Sequence, residues 1–130
     1  MSRAGLELLA PREDVWKFLA EPYHLPDWWP GITGVEPDRR GFAPGARWKV
    51  QATRRNIFAG RRSVETMLLV REIDLYERWS WHLLEPVTDT EIRLRSTGPD
   101  RTSVTVAVSR GNAKVAVKRL YDLVQTAATI

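Results

Sequence analysis

Between Arg47 and Arg110 apolar residues keep returning at every second position, and that period leaves few folds open. Trp48, Val50 and Ala52 fall on one face of a segment whose other face is Arg47, Lys49, Gln51 and Thr53. Arg78–Leu84 repeats the pattern with Trp79, Trp81 and Leu83. Thr90–Ser96 does so with Ile92 and Leu94, and Thr102–Arg110 with Val104, Val106 and Val108. One-sided alternation of this kind marks antiparallel strands with one face on a core and the other in water. Turn chemistry separates them at Gly41–Gly45, Pro86–Asp89 and Gly98–Arg101. Ser63–Ile73 reads as a further, long strand. Val70 and Ile73 cannot share a face of a regular strand, so a bulge or turn is expected near Arg71-Glu72. Arg54–Arg62 reads as a polar connection around Gly60, with Ile57-Phe58-Ala59 as an alternative strand extension.

Helices bracket this run. After an opening strand over residues 3–10 (Ala4, Leu6 and Leu8 on one face), Ala10-Pro11 starts a helix with Pro11 at its first position. Glu13 and Asp14 suit the positive end of the helix dipole. Val15, Phe18 and Leu19 form its apolar stripe, and Glu21-Pro22 ends it. Residues 23–29, with Leu25, Trp28 and Trp29, make one or two helical turns that Pro30-Gly31 stops, and Ile32–Asp38 follows as a strand. At the other end Gly111-Asn112 opens a last helix with Asn112 as N-cap. Val117, Leu120, Tyr121 and Val124 are its apolar stripe, with Ala113 and Ala128 as small contacts on the same side. Strands in one run and helices segregated against them make an α+β domain, and a single domain over residues 1–130 is expected.

Composition narrows the chemistry. Cysteine is absent, which excludes disulfides, thiolate nucleophiles and cysteine zinc sites. No run approaches the ~20 apolar residues that a membrane-spanning helix needs. Met1–Gly5 carries no signal-peptide core, so a cytoplasmic location is expected. Gly-x-Ser-x-Gly elbows, phosphate-binding glycine loops and dinucleotide fingerprints are also missing. His24 and His82 stand far apart with no supporting acid pattern, so no metal site and no cofactor are expected. The net charge of +4 is concentrated: Arg39, Arg40, Arg47, Lys49, Arg54, Arg55, Arg61 and Arg62 occur between Arg39 and Val64 without one acid.

The order of motifs resembles the SRPBCC superfamily, which comprises START domains, the birch-pollen-allergen group and polyketide cyclase/dehydrase-like proteins. The matching residues are Ala10, Pro11, Val15, Trp16, Phe18 and Leu19 of the first helix, Trp28 and Pro30 of the turn, and Val35-Glu36. Pro44-Gly45, Val70–Asp74, Trp79-Ser80-Trp81 and Gly98, Thr102 and Val104 follow in order. The resemblance implies a helix-grip fold: a curved antiparallel β-sheet wrapped around a long C-terminal α-helix, with two short helices after the first strand. It also implies a space between sheet and helix that often takes a ligand. Such pockets run to roughly 300–1,000 Å³.

The alternation then names the concave face. Six tryptophans in 130 residues is a large supply of big rings. The expected function is binding of a small lipophilic or aromatic molecule in a Trp-lined cavity. The candidate ligand-binding residues are Trp28, Trp29, Trp48, Val50, Trp79, Trp81, Leu94, Val106, Val117 and Tyr121. Trp28 and Trp29 are expected near the mouth, and Phe42 and Phe58 as gates. A polyketide cyclase/dehydratase-like enzyme is the alternative, with Tyr121 as the catalytic candidate and Glu65 or Thr66, Thr90 and Ser96 as inward polar groups. A further alternative is nucleic-acid or protein-partner binding through the basic face Arg39–Arg62. Trp48 points away from Arg47 and Lys49, which argues against a base-stacking platform.

Overall fold

The computed structural model describes residues 2–56 and 60–128, and their side chains except those at 54–56, 61, 62 and 125–128. The strands are β1 (Ser2–Leu8), β2 (Ile32–Glu36), β3 (Arg47–Asn56), β4 (Gly60–Asp74), β5 (Arg78–Leu83), β6 (Thr88–Gly98) and β7 (Arg101–Val108). They form one antiparallel sheet in the order β1-β7-β6-β5-β4-β3-β2, with β1 and β2 on its two edges. Helix α1 (Arg12–Leu19), a 3₁₀ turn (Pro22–His24) and the short helix α2 (Leu25–Trp28) link β1 to β2, and α3 (Ala113–Ala128) closes the chain. This is the helix-grip fold that the alternation and the resemblance lead one to expect.

Period-2 burial holds along the central strands. Trp48, Val50 and Ala52 of β3 are buried while Arg47 and Lys49 are exposed. Trp79, Trp81 and Leu83 of β5, Ile92 and Leu94 of β6, and Val104, Val106 and Val108 of β7 complete the inward face. The slip in β4 is a bulge: its pairing with β5 shifts between Val70 and Glu72, so Arg71 is the extra residue. Helix α3 lays Ala113, Ala116, Val117 and Leu120 on the sheet. Asn112 caps it, its Oδ1 accepting the Lys114 N–H at 3.1 Å.

Four local expectations need correction. Strands β3 and β4 run much further than their polar sequence indicates, pairing Arg54 with Arg62 and Asn56 with Gly60. Main-chain hydrogen bonds between neighbouring antiparallel strands do not depend on apolar side chains, so the ladder outlasts the hydrophobic pattern. Ile57, Phe58 and Ala59 lie outside the described residues. Pro11 is the N-cap of α1, in extended conformation, and Arg12 opens the helix. The buried stripe of α1 is Val15, Trp16 and Leu19, while Phe18 is half-buried and stacks on His24 at 4.3 Å. Ser96 is exposed: it stands just before the pairing of β6 with β7 slips, and its hydroxyl donates to the Gly98 carbonyl.

Candidate functional site

The concave face is occupied by a row of rings. Trp79 and Trp81, two positions apart on β5, meet at 4.5 Å between centroids. Trp48 joins Trp79 at 5.7 Å from β3. Phe42, from the loop before β3, packs edge-on to Trp79 at 4.9 Å and to Trp16 of α1 at 5.7 Å. Tyr76 closes that end against Trp16. In the other direction Trp81 meets Trp29 at 4.9 Å, and Trp28 packs edge-on to both. T-shaped contacts of this kind let large rings interlock with little empty space. Phe42 is thus part of the packed row and not a gate, because its ring is turned inward onto Trp16, Trp48 and Trp79.

Space remains beyond Trp29, where a cleft of about 160 Å³ opens between the α2–β2 turn, the start of β2, parts of β3, β5 and β6, and the β7–α3 loop. Trp29, Trp81, Ile32, Ala52 and Leu83 give it apolar walls, and Thr88, Thr90, Arg110 and Asn112 supply polar groups. Local chain geometry puts Trp29 there. The residue leaves α2 in extended conformation, and Gly31 turns the chain at φ +85°, a conformation that side chains with a Cβ adopt at a cost. The Thr53 N–H then donates to the Gly31 carbonyl at 2.7 Å, tying the turn to β3.

The volume is well below the several hundred cubic ångströms usual for drug-sized ligands. It is close to the ~150 Å³ of an apolar cavity that takes one benzene ring. The reason is the tryptophans themselves: the curved sheet makes the room and the rings use it. Thr88 and Thr90 both face the cleft. Thr88 Oγ1 donates to the Pro86 carbonyl at 2.9 Å. Thr90 is 3% exposed and its hydroxyl has no partner. Among the described residues the indole N–H of Trp79 and the hydroxyl of Thr66 are likewise buried without partners, whereas Trp48 donates its indole N–H to the Gly41 carbonyl at 2.7 Å.

Of the residues that the sequence nominates, Trp29 and Trp81 line the cleft. Trp28, Trp48, Val50, Trp79, Leu94, Val106 and Val117 are buried in the core and do not border it. Tyr121 is half-buried on α3, under the Lys118 ammonium at 5.4 Å, and does not border it either. Thr66 faces inward and Glu65 outward. His82 pairs with Asp89 at 2.7 Å, and His24 Nδ1 lies 2.9 Å from the Phe18 carbonyl oxygen. No group of three or more metal-ligating side chains occurs among the described residues. Sequence reasoning misses Ile32, Ala52, Thr88, Arg110 and Asn112 as cleft residues. Thr88 lies in a segment that reads as turn, and nothing in a loop sequence tells where Arg110 will stand.

The basic strip is partly visible. Arg39, Arg40, Arg47 and Lys49 are exposed, while the side chains of Arg54, Arg55, Arg61 and Arg62 lie outside the described residues. Asp38 organises the loop that carries Phe42. Its carboxylate accepts the N–H groups of Arg47 at 2.9 Å and Arg40 at 3.0 Å. These bonds, that from Arg47 foremost, hold its pKa below the ordinary carboxylate value. No helix among the described residues is long and apolar enough to cross a membrane.

Residues 9–126 match the family model described as Activator of Hsp90 ATPase homolog 1-like protein. The chain belongs to this AHSA1 family. AHSA1 proteins are of the SRPBCC type, so the resemblance in the motifs and the match agree. Solved structures share the fold at low identity. A protein from Nitrosomonas europaea is 18% identical with a TM-score of 0.68, over 99% of this chain and 97% of that one. The di-domain ARO/CYC StfQ of the steffimycin biosynthetic pathway is 17% identical with a TM-score of 0.68, over 98% of this AHSA1-family chain and 44% of StfQ. A START superfamily protein from Mycobacterium smegmatis is 15% identical with a TM-score of 0.60, over 98% and 90%. No curated protein matches the sequence.

Proposed function

We propose that this AHSA1-family protein binds a small lipophilic or aromatic molecule reversibly, with one ring in the cleft against Trp29 and Trp81. The observation that carries the reading is a ring-sized cleft walled by Trp29 and Trp81, with the buried, unpartnered hydroxyl of Thr90 among its polar groups. A buried hydroxyl without a partner costs stability, and a ligand with a hydrogen-bonding group beside its ring would supply one. Membership of a superfamily with hydrophobic-ligand carriers supports the same reading. Stacking and apolar burial would give the affinity, and Thr90 the orientation.

An aromatase/cyclase-like reaction is less well supported. Such chemistry needs a group that exchanges protons near neutral pH inside the cavity. The buried polar side chains among the described residues are Thr66, Thr88, Thr90 and Thr102, which bind hydrogen-bonding groups but do not titrate in that range.

The test is a titration of intrinsic tryptophan fluorescence with phenol, indole and toluene. A saturable change is expected, with phenol held more tightly than toluene. The Trp29→Ala protein, still folded by circular dichroism, should lose at least about tenfold in affinity, since a stacked ring is worth ~0.5–1.5 kcal/mol beyond the area it buries. Absence of any saturable response to all three compounds would remove the reading.

A further inference from the structure

We infer that the cleft selects a small aromatic carboxylate, its ring between Trp29 and Trp81 and its anionic group at Arg110. This rests on the proposed ligand reading of the cleft and names the ligand class. Three observations point the same way. Among the described residues Arg110 is the one ionised side chain in the lining and no carboxylate stands with it, so the described part of the cleft carries positive charge without an internal counter-ion. The Asn112 amide at the rim offers donors. Asn112 has already committed its Oδ1 to the Lys114 N–H, which leaves the two N–H bonds of its amide to offer. Thr88 has given its proton to the Pro86 carbonyl and offers only lone pairs, whereas Thr90 still has its own proton. Finally, Asn112 is the N-cap of the sixteen-residue α3, so the positive end of that helix dipole faces the same rim.

A ligand that meets these groups must be rich in acceptors and negatively charged. A neutral ring would leave the guanidinium and the Asn112 amide to water, and a cation would be repelled. Size completes the description. About 160 Å³ admits one six-membered ring, so the acid group must sit directly on the ring or one carbon away, at the rim. A planar carboxylate matches the fork of a guanidinium and can take two parallel N–H bonds from it.

The experiment compares benzoate, benzyl alcohol and benzylamine on the whole chain by calorimetry at low and fixed ionic strength. Benzoate should bind about tenfold more tightly than benzyl alcohol, and benzylamine most weakly. Because Arg110 is exposed, its contribution is screened. Arg110→Gln should therefore lower the benzoate-to-benzyl-alcohol affinity ratio by about threefold to tenfold, the range for a solvent-facing charged hydrogen bond. Arg110→Lys should restore part of that ratio, since it keeps the charge and loses the fork. Equal affinity for benzoate and benzyl alcohol, or an unchanged ratio in Arg110→Gln, overturns the carboxylate inference while the ring-binding reading stands. Failure of all three compounds to bind overturns both.

Discussion

The two ends of the aromatic row use the same residue type for opposite purposes. At the Trp48–Trp79 end Trp16, Phe42, Trp48 and Trp79 each meet at least two other rings. Phe42 bridges Trp16, Trp48 and Trp79, and the Gly41 carbonyl takes the Trp48 indole N–H. At the Trp29–Trp81 end both residues border the cleft, Trp29 half-buried and Trp81 buried by its neighbours, and the Thr90 hydroxyl nearby has no partner. Tryptophan content alone therefore does not distinguish a core from a site. What separates them is whether a third element closes over the ring: the Phe42 loop does so at one end, and the Pro30-Gly31 turn leaves the other open.

That contrast breaks if substitutions at the two ends behave alike. The largest effect should come from Trp48→Ala, which removes a fully buried ring and its hydrogen bond. A loss of ~3–5 kcal/mol in chemical denaturation is expected, with cleft binding reduced only in proportion to unfolding. A loss under ~1 kcal/mol would mean that this end is loosely packed, and would erase the distinction. Gly31→Ala tests the open end through its backbone. No atom stands within 4 Å of the added Cβ, so the penalty is conformational, about 1–2 kcal/mol for a left-handed residue. It should also weaken ring binding by displacing Trp29.

Thr90→Val should separate binding from stability. Removing an unpartnered buried hydroxyl leaves stability unchanged or raises it by up to ~1 kcal/mol, while affinity for phenol falls about fivefold relative to toluene. Asp38→Asn should have the smallest effect, and one that depends on pH. Because the Asp38 pKa is lowered in the folded protein, its ionised form adds stability above the ordinary carboxylate value, and this is lost as pH falls through the depressed value. The difference in melting temperature between wild type and Asp38→Asn should thus shrink on acidification from neutral pH. A constant difference would mean that the carboxylate charge does not hold the Phe42 loop.

Much of the fold is legible in the chain because strand faces are a local property. Alternation assigns Trp48, Val50, Trp79, Trp81, Ile92, Leu94, Val104 and Val106 to the interior, and the mismatch of Val70 with Ile73 locates the bulge at Arg71. The Asn112 cap is legible for the same reason, since a cap joins residues two or three positions apart. Trp16 belongs to the family motif but not to the stripe that the spacing predicts, and it is buried nonetheless. A helix held between a ring row and a sheet is buried over a wider arc than its own three-residue stripe indicates.

The sequence by itself determined a sheet with one aromatic face, helices at both ends and the SRPBCC superfamily to which the chain belongs. Those follow from period, turn chemistry and motif order, all readable within a few residues. Only the tertiary structure decided how much of the concave space is left. That depends on the angles at which rings from β3, β5, α1, α2 and the Phe42 loop meet, and ring angles are set by neighbours distant in sequence. It also decided that Arg110 and Asn112 stand at the rim beside Thr90, because a loop's position is fixed by the strand and helix it joins and not by its own residues.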